Sequence, residues 1–303
     1  MIIWLIGLLI LLHTVNGEKA AVTRKETLLI KELATWEVAS FEQNIFKDWS
    51  LHDFKHMLIG HIPRKMRGAR SKPLDSFIPT FDPRKTSRSE CLRDIPYQGQ
   101  CASSWAISIA DSLADRYCIA NSLKGIDLSA QYLISCDRLN YGCMGGLLSQ
   151  GWLFVQEKGT VSETCFPYDS VFGHAPSCPL ECVNKEQRKS YRCKKDSLRE
   201  ISYMVPEMIQ EINMHGSLST SMILYKDFMY YRGGIYKHVY GEEDLGRHAV
   251  RCVGYGEVEQ EKYWLCANSW GKLWGEDGWF RIAFGDSDIE GDVWACEPEL
   301  VSH

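Results

Sequence analysis

Ser104 stands where a loop of small and hydroxyl residues runs into an apolar helix pattern, in the stretch Gln98 to Asn121, QGQCASSWAISIADSLADRYCIAN. Ala106, Ile109, Ala110, Leu113 and Tyr117 recur at the spacing of one buried helical face. At the entrance of such a helix the first backbone N–H groups lack intrahelical partners, and the macrodipole favours negative charge. A nucleophile at Ser104 is therefore helped electrostatically. The ordinary use of Ser103 or Ser104 is as an N-cap, and this window by itself favours that use.

The elements that must position such a residue belong to a chain of 303 residues, 45% hydrophobic and 24% charged, the composition of an ordinary folded protein. A net charge of −5 supplies no basic surface, so nucleic acid and anionic membranes are not expected partners. Met1 to Leu12 is one apolar run, and Val15 and Gly17 sit where a signal peptidase reads. A signal peptide over 1–17 follows, cut after Gly17, with no membrane association afterwards. All twelve cysteines lie between Cys91 and Cys296, and an even count after a secretory signal predicts disulfides. Their spacings lack the paired short CxxC elements of a closed zinc site, so neither metal nor cofactor is expected. No N-glycosylation sequon occurs.

Glu18 to Phe77 contains no cysteine and reads as a separate unit. Leu28, Leu29, Leu33 and Trp36 form a helical stripe, and Ser50 caps a second helix ending in MLIG. The run HIPRKMRGARSKP carries Arg64, Lys65, Arg67, Arg70 and Lys72 without an acid, which makes it a solvated linker and a ready cleavage site. Further on, GSLSTSMILYKDFMYYRGGIYKHVYG alternates like strands around a GG turn.

The Gln98 window resembles the active-site segment QGxCGSCWAF of papain-family cysteine peptidases. Gln98, Gly99, Cys101, Ser103, Trp105 and Ala106 match, and Ser104 holds the place of the nucleophilic cysteine. TWEVASFEQNIF and LHDFKHMLIG resemble the propeptide of cathepsin B-like enzymes, and from IPTFDPRK onward the similarity runs nearly to the end. The resemblance implies an α+β, papain-like two-domain fold. A propeptide over 18–77 precedes a peptidase domain over 78–303, whose helical left-hand half spans about 88–190 and whose β-barrel-like right-hand half spans about 191–303.

By the same resemblance, GRHAVRCVGYG places His248 as the catalytic histidine, and ANSWGKLWG places Asn268 behind it with Trp270 as its shield. Gln98, six residues before Ser104, supplies an oxyanion donor. Gly145 and Gly146 pair with an extended peptide, where a side chain would block the approach. Asp292 falls near the pocket for the second residue upstream of the scissile bond. The implied disulfides are Cys91 with Cys118, Cys101 with Cys143, Cys136 with Cys178, and Cys165 with Cys182. For Cys193, Cys252, Cys266 and Cys296 no partner is implied, and the apolar strand contexts of Cys252 and Cys266 read as buried free thiols.

The substitution at Ser104 decides the expected chemistry. Sites of this kind lower a thiol pKa from about 8.5 to about 3–4, worth on the order of 7 kcal/mol at about 1.36 kcal/mol per unit. A serine hydroxyl stays protonated even with such help, so His248 would have to act as a true general base with only the uncharged Asn268 behind it. Arg247, directly before the histidine, adds a cation that opposes an imidazolium, and Ala102 crowds a loop where the family keeps glycine. Cys101 is spent on Cys143 and is no substitute nucleophile. Only twelve residues, Phe166 to Ser177, separate Cys165 from Cys178, so the occluding loop of cathepsin B is effectively missing; His174 is the one histidine there. The expectation is a monomer of the secretory route, secreted or in a lysosome-like compartment. It keeps a cleft for peptides, proteins or its own propeptide, with hydrolysis lost or very weak. The rival expectation is an endopeptidase using Ser104, His248 and Asn268, and a third is an inert adhesive module.

Overall fold

A computed structural model of the chain describes residues 14–15, 17–58, 79–241 and 245–300. The apolar run Met1–Leu12 and the basic stretch Arg64–Lys72 lie outside the described residues. The N-terminal segment consists of a short hairpin, β1 (Thr14–Val15) and β2 (Glu18–Lys19), then α1 (Arg24–Leu33), β3 (Glu37–Val38) and α2 (Leu51–His56). Both helices start where capping chemistry predicts. Thr23 Oγ1 accepts the Glu26 N–H and donates back to its carboxylate, and Ser50 does the same with Asp53.

The left half is built from α3 (Ser104–Asn121), α4 (Ala130–Cys136) and α5 (Leu148–Glu157). The right half holds β4 (Arg199–Glu200), α6 (Val205–His215), β5 (Leu218–Ile223), β6 (Tyr231–Gly233), β7 (Ile235–Tyr236), β8 (Arg247–Val258), β9 (Glu261–Ala267), β10 (Trp279–Ala283) and β11 (Val293–Ala295). Seven of these strands form one mixed sheet in the order β4-β11-β5-β8-β9-β10-β7. The sheet is open, with β4 and β7 at its edges, rather than closed into a barrel.

Helix α3 lies between the other left-half helices and the sheet, and from Ser104 to Cys118 every residue is buried. Burial on all sides obliges its charges to be paired. Asp115 meets Arg251 of β8 at 2.9 Å, and Arg116 meets Glu211 of α6 at 3.1 Å while donating to the carbonyls of Ser217 and Cys296. The first pair ties the helix carrying Ser104 to the strand carrying His248, and the second ties it to α6.

The N-terminal segment lies on the right half. Strand β3 pairs with β6, Trp36 packs against Tyr231 and Tyr236, and Asn44 Nδ2 donates to the Met229 carbonyl. The carboxylate of Glu26 takes the Lys226 ammonium and the Tyr230 hydroxyl. The helical stripe expected from Leu28, Leu29 and Leu33 does not face the core: these side chains are exposed, and Thr27 and Ile30 are buried instead. The anchor at Glu26 fixes the rotation of α1, and Trp36 joins the core from beyond the helix end.

All twelve cysteines are paired. The four implied bridges are closed, and two more appear, Cys193 with Cys296 and Cys252 with Cys266. Reading Cys252 and Cys266 as free thiols was therefore incorrect. They face each other directly across β8 and β9, a register that an apolar context does not reveal.

Candidate active site

The sheet brings His248 to the entrance of α3. On β8 it pairs in register with Met222 of β5, its side chain is fully buried, and its ring lies 4.9 Å from that of Trp270. His248 Nε2 donates to Asn268 Oδ1 at 2.7 Å. In a neutral imidazole that bond leaves the lone pair on Nδ1, and Nδ1 is buried without a hydrogen-bond partner among the described residues. Burial lowers the His248 pKa to about 4, and the bond to Asn268 only partly opposes it.

Ser104 is the first residue of α3, yet it does not bond to that lone pair. Its Oγ accepts the backbone N–H of Ala249 at 3.2 Å. Ser103 occupies the N-cap position without capping, because its hydroxyl is paired with Tyr168 Oη at 2.7 Å. The helix entrance thus keeps its amide dipoles uncapped by a side chain, the condition that favours an anion.

Gln98 is held on both ends of its amide. Ser269 Oγ donates to Oε1 at 2.6 Å, and Nε2 donates to the carbonyls of Cys101 at 2.8 Å and Met57 at 3.0 Å. Met57 directly follows α2, so the N-terminal segment delivers a carbonyl oxygen to this donor. Phe54 of α2 and Phe46 pack edge-on against Trp270 at 5.6 and 5.1 Å, which closes the site from that side. Nothing in the residue types of this segment identifies Met57 as the contact, since the bond uses only its backbone. Tyr168 was also missed: besides holding Ser103, its hydroxyl donates to the Gln98 carbonyl at 2.7 Å.

Gly145 and Gly146 follow the Cys101–Cys143 bridge. Gly145 has φ +109°, and a Cβ at Gly146 would come within 2.7 Å of the Trp105 ring, so both positions require glycine for backbone and packing reasons. The Gly145 carbonyl accepts the Tyr141 N–H at 3.0 Å. Asp292 accepts from Ser221 Oγ at 2.7 Å and Trp294 Nε1 at 2.9 Å. Arg247 does not act on the imidazole as its sequence position suggested. Its guanidinium pairs with Asp288 at 3.0 Å and donates to the Ser221 carbonyl and hydroxyl, and the lowered pKa of His248 comes from burial. Ala102 is accommodated, fully buried, with its N–H on the Cys143 carbonyl.

A histidine backed by an asparagine amide, facing a helix entrance across a junction of helical and sheet halves, defines the site of a papain-like fold. The chain belongs to the papain family of cysteine proteases, whose model matches residues 78–296. Within it the chain is cathepsin B-like. It is 36% identical over 212 residues to Cathepsin B-like CP2 of Giardia intestinalis, covering 68% of this chain and 69% of that protein. It is 33% identical over 301 residues to Cathepsin B-like CP1 of the same organism, covering 94% and 97%. The solved structure of proCathepsin B S9 from Trypanosoma congolense superimposes with a TM-score of 0.79 at 27% identity, over 92% of this chain and 99% of its own. No helix among the described residues is long and apolar enough to cross a membrane.

Proposed function

We infer that this chain is a cathepsin B-like homologue that keeps the peptide cleft but has lost its nucleophile, and that it works by binding peptide or protein segments rather than by hydrolysing them. The observation carrying this reading is that Ser104 Oγ accepts from Ala249 N–H while His248 Nδ1 keeps an unshared lone pair. A serine mechanism needs the Ser104 proton on that nitrogen, and it needs a charge behind the histidine where Asn268 has none. Residues 18–77 act as a propeptide, in keeping with the likeness to a proform and with the Met57 carbonyl on Gln98. Gln98, Gly145, Gly146, Trp270 and Asp292 line the surface a bound segment would meet. The protein is made for the secretory route, where its disulfides form, and acts as a monomer, outside the cell or in a lysosome-like compartment.

The deciding experiment is peptide turnover by the matured protein beside its Ser104→Cys variant. The binding reading expects no turnover from the natural chain and clear turnover from Ser104→Cys, whose thiol would meet a base and a helix entrance already in place. Turnover by the natural chain that Ser104→Ala abolishes would establish the serine-dependent endopeptidase instead.

A further inference from the structure

Outside the cleft, the exposed side of α2 brings two imidazoles together. His52 and His56 are four residues apart on one helix face, the spacing by which paired histidines ligate a single ion. Their Nε2 atoms are 3.1 Å apart, with ring planes at 74°. An ion held at about 2.0–2.1 Å from each nitrogen would subtend roughly 100° between them, within the range of tetrahedral and octahedral coordination. The other side of His52 faces carboxylates, with Nδ1 at 3.9 Å from Glu18 and 4.0 Å from Asp53. Those carboxylates lie beyond hydrogen-bond reach, but their charge favours the N–H on the Nδ1 side, which leaves the Nε2 lone pair turned toward His56. Without metal the two nitrogens lie within hydrogen-bond distance of each other; an ion between them would replace that contact and leave coordination positions for water.

We propose that His52 and His56 form a two-histidine site for a divalent transition ion of the zinc type, and that its occupation clamps α2 in place over the cleft. The clamp follows from position. The same short helix carries Phe54 against Trp270 and ends at Met57, whose carbonyl lies on Gln98. An ion bridging one turn of α2 binds the helix and not its unravelled form, so it stabilises the docked segment by linkage. This site does not depend on whether Ser104 can catalyse anything.

The test is zinc titration of the full-length chain by calorimetry, with magnesium as the control ion, beside His52→Gln and His56→Gln. The expected result is one zinc ion per chain at this site, no magnesium uptake, and an affinity weakened by about tenfold or more in each variant. Hydrogen exchange at residues 54–58 is expected to slow with zinc in the natural chain, to be unaffected by zinc in either variant, and to recover on adding a chelator. No zinc uptake by the natural chain, or uptake unchanged in both variants, overturns the site. Uptake without slowed exchange at residues 54–58 overturns the clamp.

Discussion

The carbonyl oxygen of Met57 accepts from the side-chain amide of Gln98 at 3.0 Å, so the N-terminal segment occupies that donor. On the proposed binding reading, segment and ligand compete for it. Phe54, fully buried against Trp270, is the side chain holding α2 at that place. Phe54→Ala is expected to lower the stability of the full chain by about 3–5 kcal/mol in denaturant melts and to let it bind a peptide that the natural full-length chain excludes.

The cysteines give a second expectation. With all twelve paired, thiol titration of the unfolded, unreduced protein should find no free sulfhydryl. The Cys193–Cys296 bridge spans 103 residues and Cys252–Cys266 spans 14. Chain-entropy arguments make loss of the long bridge about 1.5–2 kcal/mol more costly than loss of the short one, a difference that melts of the two Cys-to-Ala double variants would measure.

Much of this was legible in the sequence because the informative signals were local. The helix at Ser104 announces itself by its apolar spacing, α2 by Ser50, and the family by continuous motifs around Gln98, His248 and Asn268. The hidden features depend on register or on backbone. Cys252 meets Cys266 only because β8 and β9 pair in one register. Met57 acts through a carbonyl that any residue would present. Leu28, Leu29 and Leu33 misled because the rotation of α1 is fixed by an ion pair 200 residues away in sequence, between Glu26 and Lys226. The bond chosen by Ser104 Oγ could not be read at all, since the helix entrance offers it both a backbone N–H and an imidazole.

His248 makes stability depend on pH. Its pKa in the folded chain is about 4, against about 6.5 unfolded. Between these values the unfolded state binds a proton that the folded state refuses, so stability is highest above about pH 6.5 and falls as the pH drops toward 4. At about 1.36 kcal/mol per unit the loss is on the order of 3 kcal/mol. Stability curves at pH 7 and 4 should show this difference in the natural chain, and His248→Gln should reduce it by that amount.

Arg247 separates burial from charge as the source of that shift. It sits beside His248 in sequence, yet its guanidinium is committed to Asp288 at 3.0 Å and to the Ser221 carbonyl at 2.7 Å. Removing Arg247 takes the cation from Asp288, which keeps the Tyr203 hydroxyl, and leaves the Ser221 carbonyl without its donor, so Arg247→Ala should cost about 1–3 kcal/mol of stability. It should leave the histidine titration near 4, because burial, not the neighbouring cation, lowers it. Detaching the N-terminal segment uncovers Trp270 beside the ring and should move the titration upward toward about 6.5. Nuclear magnetic resonance titration of isotopically labelled histidine in the full chain, in Arg247→Ala and in the matured form distinguishes the two causes. An upward shift in Arg247→Ala comparable to that on maturation would return the cation to the account.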